Sequence, residues 1–107
     1  MGFFDFLRGP GVDEGVKEYG ETSGAILLDV RTLQEYREGH IPDSKNIPLQ
    51  EIGQISVTVP EKDTPLFVYC HSGARSRQAV EELQRMGYLL VKNIGGIAAY
   101  TGKVERV

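Results

Sequence analysis

The stretch from Pro65 to Met86 constrains the fold of this chain more than any other part of the sequence. An apolar run over residues 65–69 is followed by a polar loop, and then by a segment over residues 76–86 in which apolar residues recur every three or four positions. This order is typical of a buried strand, a short loop and an amphipathic helix. The only cysteine of the chain, Cys70, stands where the strand should end.

The loop after this strand has the composition of an anion-binding turn. Residues 70–76 read Cys-His-Ser-Gly-Ala-Arg-Ser. The first N–H groups of a helix lack partners and carry a partial positive charge, so a thiol placed there has a pKa below the value of about 8.5 of a free cysteine. Gly73 allows the backbone to turn its amides inward, and Arg75 adds a permanent positive charge whose donors suit an oxyanion. These features predict that Cys70 is a catalytic nucleophile.

The residues that follow Cys70 are then candidates for binding the substrate. They are His71, Ser72, Gly73, Ala74, Arg75 and Ser76. The alternative is a structural cysteine, since free cysteine is often buried as a small apolar residue. A polar run of this kind would be a poor core lining, which favours the nucleophile. For His71, a role in tuning the thiol and simple exposure to solvent are both open interpretations.

The rest of the chain alternates between helical and strand patterns. A helix is predicted from Val12 to a turn at residues 22–24, a strand over residues 25–28, and a helix from the Thr32–Glu35 capping box to about residue 38. Short strands are predicted at residues 46–48 and 89–91, and a tight turn at residues 95–96 before a last short helix. Residues 50–59 fit either a strand or a helix. The alternation predicts a parallel sheet with helices on both faces.

A second group of polar residues follows the first predicted strand. Functional residues gather at the carboxyl ends of parallel strands, so Asp29 and Arg31 are candidates for bracing the loop or lining its pocket. An equally simple interpretation pairs Arg31 with Glu35 one turn later, as a surface ion pair. His40 is expected to be a packed or capping residue. The two histidines and Cys70 lack a fourth ligand and suitable spacing for zinc, so no metal site is predicted.

Composition limits the class of protein. The chain has 107 residues, 40% of them apolar, which suits one small domain. A net charge of −3 at neutral pH gives no basic excess for binding nucleic acid. A single cysteine cannot form an internal disulfide, so a reducing cytoplasm is the expected location. The apolar run within residues 1–9 is too short for a signal peptide or a membrane span, so no stable membrane association is expected.

Seven short motifs follow the order and rough spacing of rhodanese-like single domains, which the chain resembles over residues 25–100. They are Leu28-Asp29-Val30-Arg31, Glu35-Tyr36, Gly39-His40-Ile41-Pro42, Asn46-Ile47-Pro48-Leu49, the loop from Tyr69 to Ser76, Gly87-Tyr88 and Gly95-Gly96-Ile97. The chain departs from the family at two places. Asp43-Ser44 stands where Gly-Ala is frequent, and Tyr100 stands where Trp is common.

The resemblance implies an α/β fold of three layers, in which a central, mostly parallel five-stranded sheet carries helices on both faces. It also favours a helix over residues 50–59. We expect a single domain over residues 12–107, preceded by a loosely ordered segment over residues 1–11.

The resemblance also implies a sulfurtransferase. A Cys70 thiolate would take sulfane sulfur from thiosulfate or another persulfide donor, and would pass it to a thiol, a protein thiol or cyanide without metal or cofactor. Arg75 would position the donor's sulfonate. A non-catalytic sulfur carrier or regulatory binding module is the alternative. Cysteine phosphatases and arsenate reductases resemble the loop less, because they place five residues between cysteine and arginine, whereas four lie between Cys70 and Arg75.

Overall fold

The computed structural model describes residues 11–107. Its helices are α1 (Val12–Glu21), α2 (Leu33–Glu38), α3 (Ile55–Thr58) and α4 (Ala74–Arg85), with short 3₁₀ helices at Leu49–Gln54 and Ile97–Ala99. Its strands are β1 (Ile26–Asp29), β2 (Lys45–Asn46), β3 (Leu66–Cys70) and β4 (Val91–Gly96). Apart from Gly11, the segment expected to be loosely ordered lies outside the described residues. Within residues 11–107, no helix is long and apolar enough to cross a membrane.

The four strands form one parallel sheet in the order β2-β1-β3-β4. Leu28 of β1 lies beside Val68 of β3, and the register between β3 and β4 shifts after Val68, so that Tyr69 lies beside Gly95. Because the strands all run in one direction, their carboxyl ends share one edge of the sheet. Asp29 and Cys70, the last residues of β1 and β3, are therefore placed at that same edge.

Successive side chains of β1 and β3 pack into two separate cores, because side chains alternate between the faces of a strand. On one face, Leu28, Val68 and Cys70 pack with buried residues of α4 and of the segment from Leu49 to Thr58. On the other face, Leu27, Phe67 and Tyr69 pack with α1. Helices thus cover both faces of the sheet, as the alternation of patterns predicts.

The fold class is confirmed, but the described residues contain four strands rather than five. The expectation of a fifth strand rests on the resemblance. Residues 50–59, which also fit a strand in the sequence, belong mostly to helices. After β4 the chain makes an isolated antiparallel bridge between His40 and Glu105 instead of a further strand.

Local signals place most element boundaries well. Thr32 caps α2, and its Oγ1 accepts a hydrogen bond from the Glu35 amide at 3.1 Å, as the capping box predicts. The segment from Leu49 to Thr58 is helical, as the resemblance favours. The prediction of a strand over residues 89–91 is wrong at both ends: Leu89 and Leu90 are exposed and precede the strand, which runs from Val91 to Gly96. The predicted turn at residues 95–96 is also wrong, since both glycines belong to β4.

Candidate active site

Cys70 lies at the bottom of a cradle formed by the loop between β3 and α4. Only 1% of the residue is exposed, and its side chain shares a face of the sheet with Leu28 and Val68. The Gly73 amide donates a hydrogen bond to Sγ at 3.0 Å, and the Ser76 hydroxyl lies 3.4 Å from the same sulfur. The loop predicted from the sequence therefore surrounds the sulfur largely with main-chain donors.

The cradle lowers the pKa of Cys70. Burial raises the pKa of the thiol, but hydrogen bonds from the Ser76 hydroxyl and from the amides of Ser76, Gly73 and Ser72 outweigh burial. Each of these donors stabilises the charged sulfur, and the N-terminus of α4 adds a partial positive charge. The thiolate form of Cys70 is thus more favoured at neutral pH than the thiolate of a free cysteine is.

Two glycines allow the loop to adopt this shape. Gly73 has φ 108° and ψ −10°, a left-handed conformation that residues with a Cβ rarely adopt. Gly96 of β4 lies directly under the loop, and a Cβ there would collide with the carbonyl group of His71. Close packing of the loop against β4 therefore requires glycine at position 96.

Asn93 of β4 fixes the loop from the inside. Its Oδ1 accepts hydrogen bonds from the Ser76 hydroxyl at 2.7 Å and from the Gly95 amide at 2.9 Å. Its Nδ2 donates to the Gly73 carbonyl at 3.2 Å. The sequence analysis missed Asn93. The signal that could have identified it is the presence of an amide residue in an otherwise strand-forming run, three residues before the end of β4.

Arg75 does not stand free in the loop. Its Nη1 and Nη2 donate to the two carboxylate oxygens of Glu35, at 2.7 and 3.0 Å. The bond from Arg75, reinforced by Thr32, lowers the pKa of Glu35 to about 2 although partial burial acts in the opposite direction. The pair joins α2 to the start of α4 across the cradle. The alternative pairing of Arg31 with Glu35 is wrong, because Glu35 bonds Arg75.

Asp29 and Arg31 form a buried pair beside the cradle. Arg31 Nη2 donates to Asp29 Oδ2 at 2.7 Å and to the Gly39 carbonyl at 2.7 Å, and the side chains are 0% and 6% exposed for Asp29 and Arg31. Asn46 holds the turn between them, since its Nδ2 donates to the carbonyls of both residues. Arg31 also lines the cavity described next, whereas the hydrogen bonds of the pair run to Gly39 and Asn46 and not to the Cys70 loop.

A cavity of about 310 Å³ opens beside the Cys70 loop. Its lining combines charged and apolar side chains: Arg31, Glu35, Glu38, Gly39, His71, Ile97 and Val104. A larger cavity of about 530 Å³, between α4 and the segment from Leu49 to Gly53, contains none of the predicted site residues. The smaller cavity is the candidate substrate site, because His71 of the Cys70 loop lines it and no loop residue lines the larger cavity.

The remaining candidates occupy the outside of the cradle. His71, Ser72 and Ala74 are exposed, and His71 contributes to the cavity lining. His40 stacks on Tyr36 with ring centroids 3.8 Å apart, and its Nδ1 lies 2.8 Å from the Tyr36 carbonyl, the packed role expected of it. Over the described part of the chain, no group of three or more histidine, cysteine or acidic side chains is arranged to hold a metal ion.

Comparisons with known proteins agree with this geometry. The family model for the rhodanese-like domain matches residues 13–103. The chain is 42% identical over 71 residues to the thiosulfate sulfurtransferase PspE of Escherichia coli strain K12, covering 65% of this chain and 68% of that protein. It is 41% identical over 81 residues to a sulfurtransferase of Allochromatium vinosum, covering 75% of each.

A solved structure shows the same fold. The structure of rhodanese with anions from E. coli has a TM-score of 0.72 and 36% identity, and the match covers 78% of this chain and 99% of that one. The family model spans most of the chain, and the relatives are alike in sequence and in fold. On these grounds the chain belongs to the rhodanese-like domain family, whose matched members include sulfurtransferases.

Proposed function

We propose that this protein is a sulfurtransferase that moves sulfane sulfur from thiosulfate or another persulfide donor to an acceptor through a persulfide on Cys70. The observation that carries this proposal is the cradle, in which main-chain amides and the Ser76 hydroxyl lower the pKa of a thiol at the carboxyl end of β3. A thiolate is the nucleophilic form of cysteine. The similarity to a relative named thiosulfate sulfurtransferase supports the same chemistry.

In the first step, the Cys70 thiolate attacks the outer sulfur of the donor. A bond forms between Sγ and that sulfur, while the sulfur–sulfur bond of the donor breaks and its electron pair leaves with sulfite, or with a thiolate if the donor is a persulfide. The transferred atom remains on Cys70 as an anionic persulfide. The amides of the loop stabilise this charge as preorganised donors.

In the second step, the persulfide returns the sulfur to an acceptor. A thiol, a protein thiol or cyanide attacks the terminal sulfur, and the electron pair of the bond to Sγ restores the Cys70 thiolate. The donor partner is thus a small anionic sulfur compound and the acceptor partner is a soft nucleophile. Both steps are displacements at sulfur and use no cofactor, and we assign them to a reducing compartment such as the cytoplasm, because oxidation would consume the thiol.

The arrangement supports sulfur chemistry over phosphoryl transfer. Only four residues separate Cys70 from Arg75, and the guanidinium of Arg75 lies against Glu35. A phosphatase needs its arginine turned toward a tetrahedral phosphate, where the positive charge is stabilising. Release of phosphate from an aryl ester by this protein would favour that alternative.

The test is intact mass after incubation with thiosulfate, with Cys70→Ser as the matched control. The wild-type protein should gain the mass of one sulfur atom, lose it again on addition of cyanide, and release thiocyanate with repeated turnover. Cys70→Ser should fold, because the substitution is small, and should do none of these. Sulfur gain by the serine variant would overturn the assignment of the nucleophile. A stable gain without turnover would identify a sulfur carrier instead of an enzyme.

A further inference from the structure

The positive charges around Cys70 are balanced one by one. Arg31 is held by Asp29, and Arg75 is held by Glu35 through two parallel hydrogen bonds. The cavity beside the loop has a further carboxylate in its lining, that of Glu38. The arginine side chains of this site therefore add no net positive charge with which to attract an anionic donor.

Glu35 is firmly held in its pairing position. Its Oε1 accepts hydrogen bonds from the Thr32 amide at 3.0 Å and from the Thr32 hydroxyl at 3.1 Å, within the capping box of α2. Its low pKa keeps the carboxylate charged at any pH suited to sulfur transfer. Thus a donor that needs Arg75 must compete with a fixed, charged, two-point partner.

This competition affects donors according to their charge. Thiosulfate carries two negative charges. The carboxylates of Glu35 and Glu38 line the cavity and repel its sulfonate, and Arg75, which is bonded to Glu35, is not free to offset this repulsion. A persulfide of an uncharged thiol carries at most one negative charge, located on the sulfur that the cradle amides receive. Like charges disfavour binding, and the loss of an arginine partner removes the main compensation.

We propose that Glu35 is a positioning residue that sets donor specificity: by holding Arg75, it makes the Cys70 site favour persulfides of low charge over thiosulfate. This inference rests on the proposed function and narrows its donor class. The step itself is balanced. A persulfide R–S–SH and the Cys70 thiolate give Cys70–S–SH and the thiolate R–S⁻, with one sulfur–sulfur bond formed and one broken.

The experiment compares two donors with the same acceptor, cyanide, in the wild type and in Glu35→Gln. The donors are thiosulfate and freshly prepared 2-mercaptoethanol persulfide. Glutamine preserves the capping box but removes the charge that holds Arg75. We expect kcat/KM for thiosulfate to rise about two- to fivefold, mainly through a lower KM, because a partly exposed ion pair is worth about that factor. The value for the persulfide should change by less than about twofold.

Two further variants separate pairing from a simple loss of negative charge. Glu38→Gln removes the same charge from the cavity without freeing Arg75, and should raise thiosulfate kcat/KM less than Glu35→Gln does. In an Arg75→Ala background, Glu35→Gln should give no larger gain than Glu38→Gln does. Glu82→Gln, which breaks the exposed pair with Arg85 on α4, is the remote control.

The outcomes distinguish this inference from the proposed function. Equal gains from Glu35→Gln and Glu38→Gln, a gain from Glu35→Gln that is undiminished without Arg75, or a loss with both donors would overturn the specificity role of Glu35. Cys70 would still accept sulfur in each of those cases. Failure of the wild-type protein to acquire sulfur from either donor would overturn the proposed function itself.

Discussion

Two residues that contact the sulfur of Cys70 are held by a neighbour in a different strand. Asn93 accepts a hydrogen bond from Ser76 and donates one to the carbonyl of Gly73, and both of these residues contact Sγ. Its orientation is fixed further by the Gly95 amide. A single amide side chain thus holds two of the residues that contact the sulfur.

Substitution of Asn93 by Asp should raise the pKa of Cys70. The carboxylate has nearly the same shape but cannot donate to the Gly73 carbonyl, and its negative charge disfavours a second anion close by. Alkylation of Cys70 at neutral pH should become severalfold slower, and the thiolate absorbance should appear at higher pH. Gln78→Glu adds a negative charge on an exposed position of α4 and should leave both measurements nearly unchanged. An unaltered titration in the Asn93 variant would show that this network does not tune the thiol.

At the level of elements, the decisive contact is that between the Cys70 loop and β4. The strand runs under the loop without side chains at positions 95 and 96, and the Ala98 amide donates to the His71 carbonyl at 3.1 Å just beyond it. The backbone of β4 therefore acts as the floor on which the cradle rests.

Gly96→Ala should displace that floor. A Cβ at this position would meet the His71 carbonyl and the Ser72 backbone, neither of which can move without moving the cradle. We expect sulfur transfer to fall by on the order of tenfold or more, and the free energy of unfolding to fall by about 1–3 kcal/mol. Gly20→Ala is the matched control, since a Cβ there meets nothing within 4 Å in α1, and it should leave activity intact and stabilise by about 0.5 kcal/mol. Full activity in the Gly96 variant would contradict the role assigned to this contact.

The sequence predicts elements whose signals are local. The capping box at Thr32, the amphipathic pattern of α4 and the apolar run of β3 each lie within a dozen residues, and each is where the sequence puts it. The pair Gly95-Gly96 predicts a turn, but the structure uses these glycines to let the Cys70 loop approach β4, and that loop lies more than twenty positions away in the chain. A local sequence pattern cannot predict such a contact between distant segments.

The same distinction explains which parts of the site could be predicted. Cys70 and its loop form one continuous stretch, so their chemistry can be predicted from the sequence. The partners of that loop are distant in the chain: Glu35 lies 40 positions from Arg75, and Asn93 lies 17 positions from Ser76. A carboxylate in a helix has many available partners, and only the folded sheet brings this one to Arg75.

At the scale of the whole molecule, two cores hold the sheet in place and a few polar links join the loops at its carboxyl edge. The pair of Glu35 and Arg75 is such a link, since it connects α2 to α4. Glu35 has a lower pKa when folded than its usual 4.5, so the unfolded chain binds the proton more readily. The stabilisation by this pair is therefore complete above about pH 4.5 and disappears as the pH falls toward about 2.

Acid unfolding should reveal this contribution. Glu35→Gln should lower the free energy of unfolding by about 1 kcal/mol at pH 7, a value reduced by solvent because the two side chains are about one-third exposed. The difference from wild type should shrink as the pH is lowered below 4.5, and should vanish near pH 2. Denaturant titrations at several pH values measure it. Glu82→Gln, which breaks a more exposed pair, should change stability by less than about 0.5 kcal/mol, and a pH-independent deficit in the Glu35 variant would refute the linkage.

The donors to the sulfur are largely main-chain groups, whereas the side chains at positions 71, 72 and 74 are exposed. The reactivity of the thiol and the exposed side chains around it can for this reason change independently during evolution. We expect substitutions at these three positions to change which acceptors bind near the thiol while its reactivity is retained. A combinatorial library randomised there is the natural starting point for redirecting the domain toward new sulfur acceptors.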